Sequence, residues 1–234
     1  MISVCVAAFN GEKYIEEQIL SVLRNLDSQD EIIISDDGSS DRTRRIDDLA
    51  EKDRRIRIID GPRKGLIKNF ENAIVHSKGD IIFLCDQDDV WKDNKVKTVL
   101  DIFGNTDCTL VMHDACIVDA NLRSSGCSFF EFKKCKKGYW RNLIKNSYIG
   151  CCMAFKRSIL DYAIPFPDNI PMHDQWIGLL SERVGKVEFC NEQLLLYRRH
   201  SNNASEMTHL PLGEMVKNRA IMLKCINKRI REKK

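Results

Sequence analysis

Four buried-strand patterns alternate with helical ones over the first hundred residues, and this alternation restricts the fold more than any other feature of the chain. ISVCVAA, from Ile2 to Ala8, is a continuous apolar run of the kind a strand shows when both its faces are covered. After the turn FNGEK, Ile15, Ile19, Val22, Leu23 and Leu26 recur at helical spacing. EIIIS is a second buried strand, and the loop DDGSSD follows it, with Asp41 placed to cap a helix running to Leu49. IRIID is a third strand, Ile67, Phe70 and Ile74 mark a further helix, and DIIFLC is a fourth strand. Strands and helices spaced in this way form βαβ units around a mostly parallel, Rossmann-like sheet, so the expected class is α/β.

Ligands of such sheets bind outside the carboxyl ends of the strands. Here those ends read AAFNGE, SDDGSSD, DGPRKG and CDQDDVW, all rich in Gly, Asn, Asp or Lys, and all due to open on one rim. The last is the most pointed. Asp86, Asp88 and Asp89 crowd into four positions straight after an apolar run, with Trp91 close behind. A solvated helix-capping turn is the plain account of an acidic loop. At a strand end on a ligand rim, clustered carboxylates relieve their repulsion best by holding a hard divalent cation. Mg²⁺ or Mn²⁺ there would take one or two carboxylates and complete its shell with water and phosphate. In the second loop a carboxylate can accept from a ribose hydroxyl or a base N–H. In the third, Arg63, Lys64 and Lys68 either offer charge to a phosphate or form a solvated helix start. Neither GxGxxG nor GxxxxGK[ST] occurs, which disfavours a dinucleotide site and a P-loop.

Beyond Phe103 the rhythm changes. CTLVMHDACIVD reads as a long strand or hairpin, KKCKKGYWRN as a loop, YIGCCMAF as a strand, and Arg157 to Tyr162 as a short helix. A helix is expected from Asp174 to Arg183, then separate strands KVEFC and QLLLYRRH, then a long basic helix. The pairs His113–Asp114 and His173–Asp174 invite a hydrolase reading, but no GxSxG elbow is present and no Cys has a nucleophile's surroundings. His113 falls in a strand pattern and is expected to be packed.

The stretches SVCVAAFNGEKYIEEQILSVL, SDDGSSD and FLCDQDDVW, in that order, resemble the nucleotide-diphospho-sugar half of family 2 glycosyltransferases of the GT-A fold. The resemblance covers about the first 115 residues strongly; MHDQWIGLL and LLLYRRHSNNAS extend it toward rhamnosyltransferase-like enzymes of bacterial polysaccharide assembly, such as O-antigen or capsule. It implies residues 1–212 as a single GT-A domain, with a nucleotide-sugar half to residue 115 and an acceptor half after it, followed by a basic helix over 213–234. It implies that Ala7, Phe9 and Asn10 border the base, that Asp37 meets the base, and that Lys64 and Asp86 serve the nucleotide. Metal is implied at Asp86, Asp88, Asp89 and His200, and a catalytic base at Asp174. The family's usual Glu-Asp is His173–Asp174 here, so a role for the first acid does not carry over. The implied activity moves a sugar from a UDP- or dTDP-sugar, dTDP-rhamnose among the candidates, to a glycan or lipid-linked glycan with inversion. The chemistry suits the residue types: a carboxylate takes the acceptor hydroxyl's proton, and Mg²⁺ or Mn²⁺ stabilises the departing nucleoside diphosphate. A nucleotidyltransferase shares the scaffold, but AAFNGEKY lacks the glycine-rich basic loop it would want. A non-catalytic sugar-nucleotide or lipid-binding module is opposed only by Asp174.

Composition bounds the partners. With 43% hydrophobic and 30% charged residues the chain can bury a core. From Gly213 onward eight Lys/Arg face two Glu, a local charge of +6 within a total of +3, so the body is mildly acidic. Met215, Met222, Ile226 and Ile230 form one helical stripe in this segment. The helix therefore suits an anionic membrane surface, or packing on the domain or a partner, better than nucleic acid. The ten cysteines include no CxxC pair, so buried thiols in a reducing compartment are expected rather than a zinc site. With no signal-peptide pattern at the start and no apolar run near the ~20 residues of a membrane span, the expected location is cytoplasmic, peripheral on the inner face of the plasma membrane if the basic helix binds there.

Overall fold

The computed structural model describes residues 1–201, 203 and 211–233. Asn202, Ala204 and Ser205 of the LLLYRRHSNNAS stretch, and Lys234 of the basic tail, lie outside the described residues. The elements of the first half are β1 (Ile2–Ala8), α1 (Ile15–Leu23), β2 (Glu31–Asp36), α2 (Asp47–Ala50), β3 (Ile56–Asp60), α3 (Leu66–His76), β4 (Ile81–Asp86), β5 (Val90–Trp91) and α4 (Lys95–Asn105). The second half contains β6 (Leu110–Val118), β7 (Ser124–Ser128), α5 (Phe129–Lys133), α6 (Tyr139–Ile144), β8 (Met153–Lys156), α7 (Leu160–Ala163), α8 (His173–Val184), β9 (Val187–Arg198) and α9 (Leu212–Glu232).

Strands from both halves belong to one sheet of order β3-β2-β1-β4-β8-β6-β9-β5, with β7 on β6. β3, β2, β1 and β4 are parallel, as the sequence pattern requires. Beyond β4 the pairing is mixed: β8 is antiparallel to both β4 and β6, β9 is parallel to β6, and β5 is antiparallel to β9. The mostly parallel sheet expected from the sequence is therefore a mixed one. Its departure begins where the βα alternation stops and short connections force antiparallel neighbours.

The sheet must also curl. Four inter-strand steps separate β4 from β5, about 19 Å at the usual spacing. Yet Asp86 at the end of β4 and Val90 at the start of β5 are joined by three residues, whose reach is about 14 Å. Only a sheet rolled back on itself lets this acidic link bridge its two parts.

The core follows the strand patterns. β1 is buried throughout, as are Ile32 to Ile34 and Ile82 to Cys85. Cys5, Cys85 and Cys108 are buried thiols, and all ten cysteines are free. Burial pushes the Cys5 thiol up to about 12. His113 is packed as expected, its Nδ1 2.7 Å from the Asp114 carbonyl.

Four local expectations change. KKCKKGYWRN contains the start of α6, and Gly150–Cys152 is a 3-10 turn before β8. KVEFC and QLLLYRRH are one strand, β9. Its polar Asn191–Glu192 interruption is a bulge, because His113 and Asp114 of β6 pair with Cys190 and Gln193. Asp41 accepts from Thr43 N at 2.9 Å and caps a 3-10 turn ahead of the short α2. The basic helix α9 is docked rather than detached. Met222 and Ile226 of its apolar stripe are fully buried, and Arg229 reaches the carbonyls of Tyr162, Ile164 and Pro165.

Candidate functional site

A cleft of about 510 Å³ opens along the carboxyl ends of the parallel strands, against the N-terminus of α8. Ala7, Ala8 and Phe9 line it from β1, Asp37 from the loop after β2, and Arg63, Gly65, Leu66 and Asn69 from the β3–α3 connection. Asp86, Gln87 and Asp88 follow β4, and Ile149, Gly150, Met172, His173, Asp174, Tyr197 and Asn203 complete the lining from the second half of the chain. Two alanines at the end of β1 leave room where a bulkier strand end would fill it, and Phe9, 54% exposed, offers an aromatic face.

The expected nucleotide residues divide. Ala7, Phe9, Asp37 and Asp86 line the cleft; Asn10 and Lys64 do not. Asn10 instead ties two loops together, its N–H donating to Ser39 Oγ (2.9 Å) and its Oδ1 accepting from Ser40 N (2.9 Å). It sits at φ +49°, a left-handed position that Asn tolerates. The Asp37 carboxylate accepts from three successive backbone amides: Arg63 (2.6 Å), Lys64 (3.3 Å) and Gly65 (2.8 Å). Arg63 and Gly65 both have positive φ, so the loop wraps the carboxylate. The side chain from this loop that lines the cleft is Arg63, where Lys64 had been expected.

Gln87 was not singled out in the sequence. Its amide pairs with both backbone groups of Phe9, accepting from the N–H and donating to the carbonyl, each at 2.9 Å. The second residue of DQDD thereby fixes the turn after β1. No local signal marks such a role, because the partner lies 78 positions away.

The acidic residues face different ways. Asp88 Oδ2 lies 2.9 Å from His200 Nε2 and 3.0 Å from Asn203 Nδ2, so the structure brings two expected metal residues together. The His200 ring is held by stacking on Tyr14, with centroids 4.7 Å apart. Asp89, expected with them, lies behind the cleft wall. It is fully buried, Oδ1 accepts from Arg198 N (2.9 Å), and Oδ2 has no hydrogen-bond partner. Asp86, Asp89 and Cys151 place ligand-capable atoms within 4.8 Å of one another. Burial, then the negative charges of Asp88 and Asp174, pushes Asp86 up to about 7. Burial beside Asp88 and Asp86 raises Asp89 as well. The buried Lys95, whose ammonium donates to the Cys151 carbonyl (2.8 Å) and lies 3.9 Å from the Trp91 ring centre, supplies a cation behind them.

Arg198 braces this region. Only 3% exposed, it donates to the carbonyls of Asp88 (2.7 Å) and Ala120 (2.8 Å), pairs with Glu17 of α1, and lies over the Tyr14 ring. A strand end late in the chain thus aims an acidic turn formed early in it.

Asp174 lies in the first turn of α8, where the helix N-terminus favours negative charge. Its Oδ1 accepts from Gln175 N at 2.5 Å. Burial nevertheless dominates and pushes the carboxyl up to about 7. A carboxylate poised near neutrality at the edge of a cleft has the properties of a general base.

This architecture, a curled mixed sheet with helices on its faces and an acidic cleft at the strand ends, is that of the GT-A glycosyltransferases. Residues 3–163 match the family model described as glycosyl transferase family 2. The chain belongs to that family. Among curated relatives it is 26% identical over 188 residues to WfgD of Escherichia coli, a UDP-Glc:alpha-D-GlcNAc-diphosphoundecaprenol beta-1,3-glucosyltransferase, covering 78% of this chain and 70% of that protein. The fold is similar to residues 1–349 of S. aureus TarS in complex with UDP-GlcNAc, with a TM-score of 0.75 at 17% identity over 95% of this chain and 66% of that one. It is also similar to the mannosyltransferase PcManGT of Pyrobaculum calidifontis in complex with GDP-Man and Mn2+, with a TM-score of 0.64 at 17% identity over 98% of this chain and 64% of that one. The chain spans 66% to 72% of the length of the first curated relatives it matches.

Proposed function

We propose that this glycosyltransferase moves a sugar from a nucleoside-diphosphate donor to a glycan or lipid-linked glycan acceptor, inverting the anomeric centre, in the assembly of a bacterial surface polysaccharide. The observation that carries the reading is the placement of Asp174. A buried carboxylate raised to about 7 shares one cleft with Asp86 and Asp88. Asp174 would accept the proton of the attacking hydroxyl, and the separate acidic end would face the diphosphate. With no side chain required as a covalent nucleophile, a single displacement suffices.

The donor set fits a divalent cation. Asp88 and His200 already converge, a buried Asp89 oxygen has no partner, and crowding raises the neighbouring carboxyls. Carboxylate oxygen with one imidazole suits Mn²⁺ or Mg²⁺. Asp88 and His200 would hold it, with Asp86 beside them. When bound, the cation supplies Lewis-acid stabilisation of the leaving diphosphate. The donor is read as a UDP- or dTDP-sugar. The lipid-linked acceptor draws support from the diphosphoundecaprenol substrate named for WfgD.

None of the described helices is long and apolar enough to cross a membrane. Because the apolar stripe of α9 is taken up by the domain, any membrane contact by this helix uses its outer side. Lys217, Lys224 and Lys228 are exposed there, and Leu212 and Val216 are exposed near its start. Such a contact is electrostatic in the main.

The functional test is a thermal-shift screen of UDP, dTDP and GDP and their sugars, with and without Mn²⁺, followed by nucleoside-diphosphate release with the best donor. Metal-dependent stabilisation by one nucleotide, and release that stops in chelator, are expected. Full release in chelator removes the cation from the mechanism.

A further inference from the structure

The four most exposed large apolar side chains among the described residues all belong to two helices that pack together. Trp140 (64%) and Ile144 (61%) are on α6, and Leu212 (79%) and Val216 (61%) are at the start of α9. Each pair is spaced i, i+4 and so shares one helix face. Arg219, a turn further along the face that carries Leu212 and Val216, donates to the Ile144 carbonyl at 2.9 Å. That bond sets the two apolar pairs side by side. Single exposed apolar residues need no account, but a contiguous group of them marks a contact site.

The inner side of α6 is already committed. Asn142 and Leu143 are buried there, Asn142 donates to Glu182 of α8 at 3.0 Å, and its carbonyl accepts from Gln175 Nε2 at 2.9 Å. The rotation of this short helix is thereby fixed, with Trp140 and Ile144 turned outward.

Charge decides what covers this face. From Lys133 to Lys145 the chain carries six Lys/Arg and no acid. Lys134, Lys136, Arg141 and Lys145 are exposed around α6, and Lys217 and Lys224 are exposed on α9. The acids of the adjoining elements are engaged: Glu182 accepts from Gly138, Asn142 and Tyr148, and Glu188 pairs with Lys137. A protein partner fits poorly, because lysine is depleted in protein interfaces. A nucleic acid would meet the cations and leave the branched aliphatic side chains in water. An anionic bilayer satisfies both, with phosphates for the cations and an apolar layer just beneath them, and tryptophan favours that boundary.

We propose that α6 and the start of α9 form a membrane-docking face, in which Trp140 and Ile144 enter the headgroup boundary of an anionic bilayer and the surrounding lysines and arginines lie at its phosphates. Charge supplies most of the attraction. The outer lysines of α9 draw the molecule to the surface, and α6 supplies the side chains that insert and fix the direction in which the cleft faces. A helix is about 10 Å thick, and the inner side of this one holds the start of α8. Docking therefore keeps Asp174 close to the bilayer, within reach of a glycan whose lipid stays in the membrane. The docking face stands by itself; its use for a lipid-linked acceptor rests on the proposed transfer.

Trp140 is its own reporter. The chain has three tryptophans, of which Trp91 and Trp176 are buried, so the emission that responds to lipid is that of Trp140. The full chain is mixed at low ionic strength with vesicles of phosphatidylcholine, alone or with phosphatidylglycerol, with and without bromine on the acyl chains. Vesicles containing phosphatidylglycerol are expected to sediment the protein, shift its emission to the blue and, when brominated, quench it; phosphatidylcholine alone should do none of these. Trp140→Ala and Ile144→Ser should each lower the partition coefficient at least about tenfold at an unchanged melting temperature, and Trp140→Ala should abolish the quenching. Sedimentation with lipid but without quenching of the wild type overturns the proposal and leaves contact through the charges of α9 alone. No sedimentation overturns it as well, and a dimer that dissociates in Trp140→Ala would then assign the face to a second copy of the chain. Should Trp140→Ala lose its thermal transition, the wild-type quenching and Ile144→Ser decide. Nucleotide binding is read separately in the thermal-shift screen, so failure of docking leaves the transferase reading standing, and failure of nucleotide binding leaves the docking face standing.

Discussion

Replacing Asp174 with Asn tests the proposed chemistry most directly, because the structure sets both the size and the pH dependence of the effect. An amide of the same shape keeps the helix start but cannot take a proton. Loss of a general base costs about 10²–10⁴ in turnover. The pH profile is the sharper prediction. An ordinary Asp at 3.8 would be ionised across the neutral range, whereas Asp174 is raised by burial to about 7. Roughly a tenth of it is ionised at pH 6 and about nine tenths at pH 8, so turnover of the wild type should rise about tenfold between them and then level off. Asp86 titrates in the same region, raised by burial and by Asp88 and Asp174, and the two act as an interacting pair. The variant tells them apart. Measured as nucleoside-diphosphate release at saturating donor and metal, Asp174→Asn should give low turnover with no acidic limb. A limb that persists belongs to Asp86. Turnover within about fivefold of wild type refutes the assignment of Asp174 as base. The same shift has a thermodynamic sign. A carboxyl raised on folding contributes stability that is fully present below about 4 and lost as pH rises through about 7. Melting temperature in the absence of metal should therefore fall from pH 5 to pH 8, and fall less in Asp174→Asn.

His200→Ala should weaken Mn²⁺ binding about tenfold or more, read by paramagnetic resonance of free Mn²⁺ without any turnover assay; unchanged affinity removes His200 from the proposed ligands beside Asp88. Arg198→Met should cost about 2 kcal/mol of stability in chemical denaturation, since it leaves the partly buried carbonyls of Asp88 and Ala120 without their donor and removes the pair with Glu17. A loss under about 1 kcal/mol would show that the brace is dispensable. The chain should sediment with vesicles rich in phosphatidylglycerol at low salt and be released at high salt, as charge-driven contact requires. Changing Lys217, Lys224 and Lys228 together to Gln should abolish this, and salt-insensitive binding would point to apolar insertion instead.

The first half was legible because its signals are local. Apolar runs gave β1 to β4, and their polar ends marked the rim. The helix α4 was passed over although Val96, Val99 and Phe103 are buried along it, since its polar residues mask the period. In the second half the helical periods of α8 and α9 were readable, but a bulge splits the pattern of β9 and a 3-10 turn interrupts the run before β8. The site was legible in its acids and illegible in its supports. Asp88, His200 and Asp174 carry recognisable chemistry in recognisable stretches. Gln87 and Arg198 do not, for their roles arise from partners far off in the chain.

The short acidic link between β4 and β5 has a consequence for how the molecule is made. Val90 and Trp91 hydrogen-bond only to Leu195 and Leu196 of β9 within the sheet, more than a hundred positions downstream. During synthesis from the N-terminus, the four parallel strands can assemble while Val90 and Trp91 still lack their strand partner. Affinity for a divalent ion should accordingly arrive late, as a mark of the finished chain rather than of its nucleotide-binding half.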